Sequence, residues 1–392
     1  MNHGSVNWNG STSGRGESIE WNPRKKRLCY LGDARSSHTA KWANHFSSKG
    51  YEVHILSFEE PRGISPAVNV HLLNARFASA LRYFTSARQV QRILAEIRPG
   101  LLHAHYASGY GTLARMTNFH PYVVSTWGSD VFEFPARSPL HRVLIEKNLA
   151  SADHVCSTSQ FMADYVRRYY AAAITVTPFG VDCSKFKPMP VAANSEDVVI
   201  GTVKLLEQIY GLDDLIRSFA LLVKEYGHLK KLRLVIAGEG SFKNQLQKLS
   251  ADMGVEELTD FLGFVPQDQV PNVLNRFSVF VALSQSESFG VAVLEASACG
   301  LPVVVSNVGG FREVVQDQIT GFIVARRDPK AVVAAIAPLI QDDERRKTMG
   351  FAGREFVSRN YEWTENADRM ERLYLSFLES MPNREPVSIQ AS

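Results

Sequence analysis

The sequence predicts an α/β chain of two Rossmann-like domains facing a central cleft. Three observations point there. At 392 residues, 45% hydrophobic and 21% charged, the chain is long enough for two ordinary domains, each with its own core. Short apolar runs alternate with segments of helical spacing, the rhythm of a mostly parallel sheet covered on both faces. That rhythm breaks at 187–196, where two prolines and small residues intervene, and then restarts.

Taken in order, residues 1–26 are rich in Gly, Ser and Asn, lack periodicity and run into a basic stretch at 24–27, so a disordered tail is expected. A first, acceptor-side domain follows over 27–186, with strands expected at 28–31, 53–57, 101–104, 122–125, 155–157 and 174–177. After the linker at 187–196, a second domain over 197–365 starts with a strand at 198–203. Leu212, Leu215, Ile216, Phe219, Leu222 and Val223 then recur at helical spacing. Further strands are expected at 232–237, 277–283 and 303–306, and a terminal helix and tail at 366–392. Ligands of open α/β sheets bind beyond the carboxyl ends of the strands, so the chemistry is expected in loops that follow strands.

Composition narrows the function. No run approaches the roughly 20 apolar residues of a membrane-spanning helix, and no signal-like segment opens the chain, so a cytoplasmic protein is expected. Cys29, Cys156, Cys183 and Cys299 form no C-x-x-C pair and read as reduced thiols. Net charge is +3, but residues 1–190 hold 22 Lys and Arg against 13 Asp and Glu, a balance of +9 that leaves −6 for the rest. A basic first domain suits peripheral contact with an anionic membrane or a phosphorylated acceptor. No nucleic-acid-binding motif accompanies the charge.

The most informative segment is 283–306. It leaves a strand, enters a helix near Gly290, closes it at Gly300 and feeds the next strand through Pro302. Backbone N–H groups of Phe289, Gly290 and Val291 at that helix start would form an anion site suited to a diphosphate, with Gly290 admitting the ligand to the backbone. Glu287 in the loop and Glu295 within the helix can accept hydrogen bonds from sugar and ribose hydroxyls.

Glu287-x-Phe289-Gly290-x-x-x-x-Glu295 followed by Gly300-x-Pro302-Val-Val resembles the retaining glycosyltransferases of family 4, of GT-B fold. Val235-Ile-Ala-Gly-Glu-Gly240, Phe261-Leu-Gly-Phe-Val265, Val308-Gly-Gly310, Gly321-Phe-Ile-Val324 and Thr177-Pro-Phe-Gly-Val-Asp182 lie in the family's order. The resemblance implies that Glu287 meets the donor sugar, Glu295 the ribose, backbone amides at Phe289, Gly290 and Val291 the diphosphate, and Val265 the nucleobase. It departs at 200–211, where Thr202 and Ile209-Tyr210 stand near the usual Arg and Lys. Lys204 is the expected substitute cation, as in bacterial polysaccharide and lipopolysaccharide transferases that this stretch resembles.

In the first domain, Gly32, Arg35, Ser37 and His38 lie in a polar loop and helix start expected to approach phosphate and acceptor. His103 and His105 alternate on one strand face; no third metal ligand is apparent, and the resemblance implies that His105 lines the cleft. Asp130, in Thr126-Trp-Gly-Ser-Asp130, is a candidate for the acceptor or sugar side, with Trp127 at the family's usual His position. Glu287, Asp130 and His105 are thus the catalytic candidates.

No Asp-x-Asp motif is present, so neither a metal nor any cofactor is expected; the partners are a nucleotide sugar and a saccharide or lipid-linked acceptor. The alternatives are a non-catalytic sugar-nucleotide-binding scaffold and a sugar-nucleotide epimerase. A nicotinamide enzyme is disfavoured by the absence of Gly-x-Gly-x-x-Gly after a strand.

Overall fold

The computed structural model describes residues 26–75, 80–190 and 197–380. The expected tail, apart from Lys26, lies outside them, as do 191–196 of the linker and the terminal tail beyond 380.

The first sheet comprises β1 (Arg27–Leu31), β2 (Glu52–Ser57), β3 (Asn69–Leu72), β4 (Leu101–His105), β5 (Tyr122–Thr126), β6 (His154–Ser157) and β7 (Ile174–Val176), ordered β3-β2-β1-β4-β5-β6-β7. The second comprises β8 (Val198–Val203), β9 (Leu232–Ala237), β10 (Thr259–Gly263), β11 (Val279–Ala282), β12 (Val303–Ser306) and β13 (Gly321–Val324), ordered β10-β9-β8-β11-β12-β13. Every pairing is parallel. Strand order reverses between β1 and β4 and between β8 and β11. Crevices beyond those strands are where such sheets bind ligands.

Central strands are apolar runs because helices bury both their faces. β4, β5, β11 and β12 are buried along their whole length. Three strands were not anticipated as strands: β3, β10 and β13. All three are sheet edges and only partly buried; polar residues interrupt the apolar pattern of β3 and β10, and β13 is a short Gly-Phe-Ile-Val run opened by a glycine. The helix Leu212–Tyr226 buries Leu212, Leu215, Ile216, Phe219 and Leu222, as their spacing requires.

The chain crosses between lobes twice, side by side. The Val181 N–H donates to the Tyr361 carbonyl at 2.8 Å and the Trp363 N–H to the Val181 carbonyl at 2.9 Å. The final helix starts at Trp363, inside the span expected for the second domain, and packs on the first lobe. Trp363 meets Trp42 at 4.7 Å between centroids, and the Tyr374 hydroxyl is 2.5 Å from His103 Nδ1.

Candidate functional site

Between β11 and the helix Val291–Ala298, the loop 283–290 carries Glu287, and the helix itself carries Glu295. Gly290 has φ 104°, which L residues rarely adopt, and an added Cβ would lie 2.8 Å from Cδ1 of buried Phe311. This corrects the expected reason for the glycine: the added carbon would meet core packing, so backbone conformation and Phe311 demand Gly, not ligand approach. The Phe289 ring is buried and meets Tyr361 edge-on at 5.5 Å, so its backbone alone is available. The N–H groups of Phe289, Gly290 and Val291 pair with no acceptor among the described residues, leaving the positive end of the helix open.

Lys204 follows β8 and crosses the gap between the two strands at the switch point. Its Nζ donates to Glu287 Oε2 at 2.6 Å and lies 4.3 Å from the Tyr210 ring centroid. Glu295 points elsewhere: it is buried, and its Oε1 accepts from Gln267 Nε2 at 2.7 Å. Loss of hydration pushes its pKa up to about 7, against the Gln267 hydrogen bond and the nearby Lys41 and Lys204. Val265 is half-buried against the second lobe's core beside exposed Phe264.

The first lobe closes the opposite wall. In the helix Ser37–Ser48, His38 and Lys41 stand three residues apart and share a face. The His38 ring stacks on Phe179 at 3.7 Å and meets Trp127 edge-on at 5.8 Å. Loss of hydration there, then Lys41 and Lys204, push its pKa down to about 3, so it is neutral at pH 7. Lys41 Nζ donates to the Phe179 and Gly180 carbonyls at 3.2 and 3.0 Å. Burial pushes its pKa down to about 8, opposed chiefly by Glu295. Arg35 is exposed and paired with Asp33 and Glu59, Ser37 is exposed, and the helix is capped by Ser36, whose side chain accepts the Thr39 N–H. Gly32 makes room for His105: a Cβ there would lie 3.2 Å from that of His105.

Two expected catalytic residues sit beneath the cleft instead of in it. Asp130 is fully buried, and its carboxylate accepts the Ala107, Trp127 and Gly128 N–H groups at 2.8, 3.1 and 2.8 Å. Burial raises its pKa to about 6 despite those bonds. Asp130 fixes the Trp127–Gly128 loop and presents no acid to a substrate. His105 is 1% exposed, stacked on Tyr30 at 4.8 Å and tilted on Trp127 at 4.7 Å, with Nδ1 on Thr39 and Nε2 unpaired among the described residues. Burial holds its pKa well below 6.5, so it supports Trp127 instead of lining the cleft. His103 spends both ring nitrogens on Tyr374 and Ser125. Among the described residues no group of three or more His, Cys, Asp or Glu could hold a metal ion.

Sequence reasoning missed Lys41, Gln267, Ser288, Ser159 and Glu313, and named Tyr210 only as a departure from the family pattern. Ser288 Oγ donates to the Trp127 carbonyl at 3.0 Å and its carbonyl accepts from Ser159 Oγ at 2.8 Å, joining the glutamate loop to the first lobe. Helical spacing from His38 was the one available signal, and it pointed to Lys41.

Two facing parallel sheets, a free helix start between two glutamates and a cation opposite define a GT-B nucleotide-sugar-dependent glycosyltransferase. The chain belongs to the group 1, family 4-like glycosyltransferases: the model for Glycosyl transferases group 1 matches residues 185–356 and that for Glycosyl transferase 4-like matches 27–159. It is 30% identical over 285 residues to the GDP-mannose-dependent alpha-(1-6)-phosphatidylinositol monomannoside mannosyltransferase of Mycolicibacterium smegmatis, covering 67% of this chain and 72% of the relative. It is 30% identical over 325 residues to the D-inositol 3-phosphate glycosyltransferase of Saccharomonospora viridis, covering 76% and 74%. Among solved structures, sucrose-phosphate synthase from Thermosynechococcus elongatus superposes with TM-score 0.80 at 19% identity over 91% of this chain and 100% of that one. HepE of Anabaena, solved with UDP and glucose, gives 0.76 at 18% over 90% and 100%.

Proposed function

We propose that the chain is a retaining glycosyltransferase that moves a hexose from a nucleoside diphosphate, without a divalent metal, to a saccharide or lipid-linked acceptor in cell-envelope glycolipid or polysaccharide synthesis. The observation that carries this is the Lys204–Glu287 pair at 2.6 Å, set beside the free amides of 289–291 with Glu295 buried eight residues on. Negative charge accumulates on the departing nucleoside diphosphate as the glycosidic bond breaks. Fixed amides and an ammonium stabilise it there without reorganising. Glu287 accepts sugar hydroxyls and stands as the negative neighbour of an oxocarbenium-like sugar, while Glu295 accepts from the ribose and Val265 flanks the base. Retention follows from the family resemblance, as same-face attack assisted by the leaving phosphate.

The acceptor falls to the first lobe, where exposed Arg35 stands in the loop that follows β1. The relatives named for phosphatidylinositol mannoside and inositol phosphate favour an acceptor that carries a phosphorylated polyol. No helix among the described residues is long and apolar enough to cross a membrane. Leu140, 81% exposed, Phe84, 40% exposed, and the basic first half support peripheral contact at the inner membrane face. The test is hydrolysis and transfer across UDP-, GDP- and ADP-sugars in EDTA, with Glu287→Ala and Glu295→Ala alongside. Release of one nucleoside diphosphate in EDTA, lost in both variants, is expected. Tight nucleotide binding without turnover, whatever acceptor is added, would replace this reading with the scaffold. Conversion of the donor sugar without any acceptor would replace it with the epimerase.

A further inference from the structure

The residue between Glu287 and Phe289 faces away from the second lobe. Ser288 hydrogen-bonds twice to the first lobe, through its hydroxyl to the Trp127 carbonyl and through its carbonyl to the Ser159 hydroxyl. The direction of the second bond is fixed by the fold. Ser159 is fully buried and caps the helix Gln160–Val166, its Oγ accepting the Met162 N–H at 3.0 Å. With that lone pair engaged, its single proton points outward, to the Ser288 carbonyl. Trp127 is set just as firmly, because Asp130 holds both its N–H and that of Gly128.

The second lobe grips the same peptide from behind. The Gly310 N–H donates to the Glu287 carbonyl at 3.1 Å. Three residues on, the Glu313 carboxylate takes the Gln160 and Phe161 N–H groups. Phe161 then lies over Gly309, where a Cβ would collide with its ring at 2.2 Å.

We propose that Ser159 is a positioning residue: with the Trp127 carbonyl it clamps Ser288, so Glu287 takes its working place when the lobes are together. This rests on the glycosyltransferase reading. A donor bound to the second lobe alone meets a loop whose outer hydrogen bonds are unmade, which limits wasteful hydrolysis until the lobes close.

The test uses the full chain and four variants. Ser288→Ala removes one clamp bond at a half-buried side chain. Ser159→Asp keeps an acceptor for the Met162 N–H but has no proton for the Ser288 carbonyl; Ser159→Thr keeps both. Glu313→Ala frees the Gln160 and Phe161 amides. Whichever of UDP, GDP or ADP binds wild type is titrated calorimetrically, turnover of its sugar is measured, and hydrogen exchange is followed over 159–163 and 287–291. Expected are nucleotide Kd values within about twofold of wild type, turnover at least about tenfold lower in Ser288→Ala and Ser159→Asp, and recovery in Ser159→Thr. Exchange over 159–163 should quicken at least about tenfold in Glu313→Ala. Turnover unchanged in Ser288→Ala and Ser159→Asp, or falling in step with nucleotide affinity, overturns the proposal. If wild type turns over no nucleotide sugar, the glycosyltransferase reading fails; exchange over 159–163 no faster in Glu313→Ala than in wild type would instead show that the lobes do not meet at this seam, and would overturn the clamp.

Discussion

Glu295 places a carboxylate where the fold gains least from a charge, and Glu295→Gln should expose that cost. Burial raises its pKa from 4.5 to about 7. A carboxyl whose pKa is higher folded than unfolded binds protons more tightly in the native state. Its stabilising contribution is therefore complete below 4.5 and is lost as pH rises through 7. At about 1.36 kcal/mol per pKa unit, the gap between the two values costs about 3 kcal/mol at pH 8 and about 1 kcal/mol at pH 5. Gln is isosteric, keeps an oxygen for the Gln267 N–H and has no proton to lose. The stability of Glu295→Gln relative to wild type should therefore rise by about 2.5 kcal/mol between pH 5 and pH 8. For a lobe of about 170 residues, with unfolding entropy near 2 cal/mol/K per residue, that is a shift in relative Tm of about 7 °C. Thermal and urea unfolding of both proteins at pH 5, 6, 7 and 8 measure it. A stability difference that stays constant across that range would refute the reasoning, because the carboxylate would then not be paying for its burial.

Three further outcomes are expected. Gly290→Ala should destabilise the second lobe by about 2–3 kcal/mol, from backbone strain at φ 104° and overlap with Phe311, read by urea unfolding. Lys204→Met leaves Glu287 without its cation and should weaken nucleoside diphosphate binding at least about tenfold by calorimetry; unchanged affinity would remove Lys204 from the phosphate site. Tyr374→Phe takes the hydroxyl from His103 Nδ1 inside the first lobe and should cost about 1–3 kcal/mol, with nucleotide affinity unaltered because the loss lies in the other lobe.

The interior strands were legible because a strand buried on both faces must be apolar throughout; the missed β3, β10 and β13 are three of the four edges, where that requirement lapses, and the fourth edge, β7, stayed legible through its short β-branched run Ile-Thr-Val. The glutamate segment was legible for a similar reason: its strand, loop, glycine and helix are contiguous, so spacing alone sets Glu287 in the loop, Gly290 at the helix start and Glu295 within the helix. Contacts between distant segments leave no such trace. Gln267 reaches Glu295 across 28 residues and Ser159 reaches Ser288 across 129, and neither serine differs in type from one that caps a helix in solvent. Asp130 shows the opposite difficulty. An aspartate just after a strand reads equally as a cleft acid and as a staple for backbone amides, and its three N–H partners decide for the staple.

The final helix alters the order in which this protein can be made. Residues 27–190 leave the ribosome first, yet the core they build contains Trp363, Met370, Tyr374 and Leu378 beside Trp42 and Phe46. The nascent first lobe therefore waits with an uncovered apolar face while the whole second lobe is synthesised. The second lobe, complete by about residue 362, can close its core while the first is still open. The lobe that begins the chain is the last to be finished, and a fragment ending at the linker should be insoluble unless 363–380 is supplied in trans.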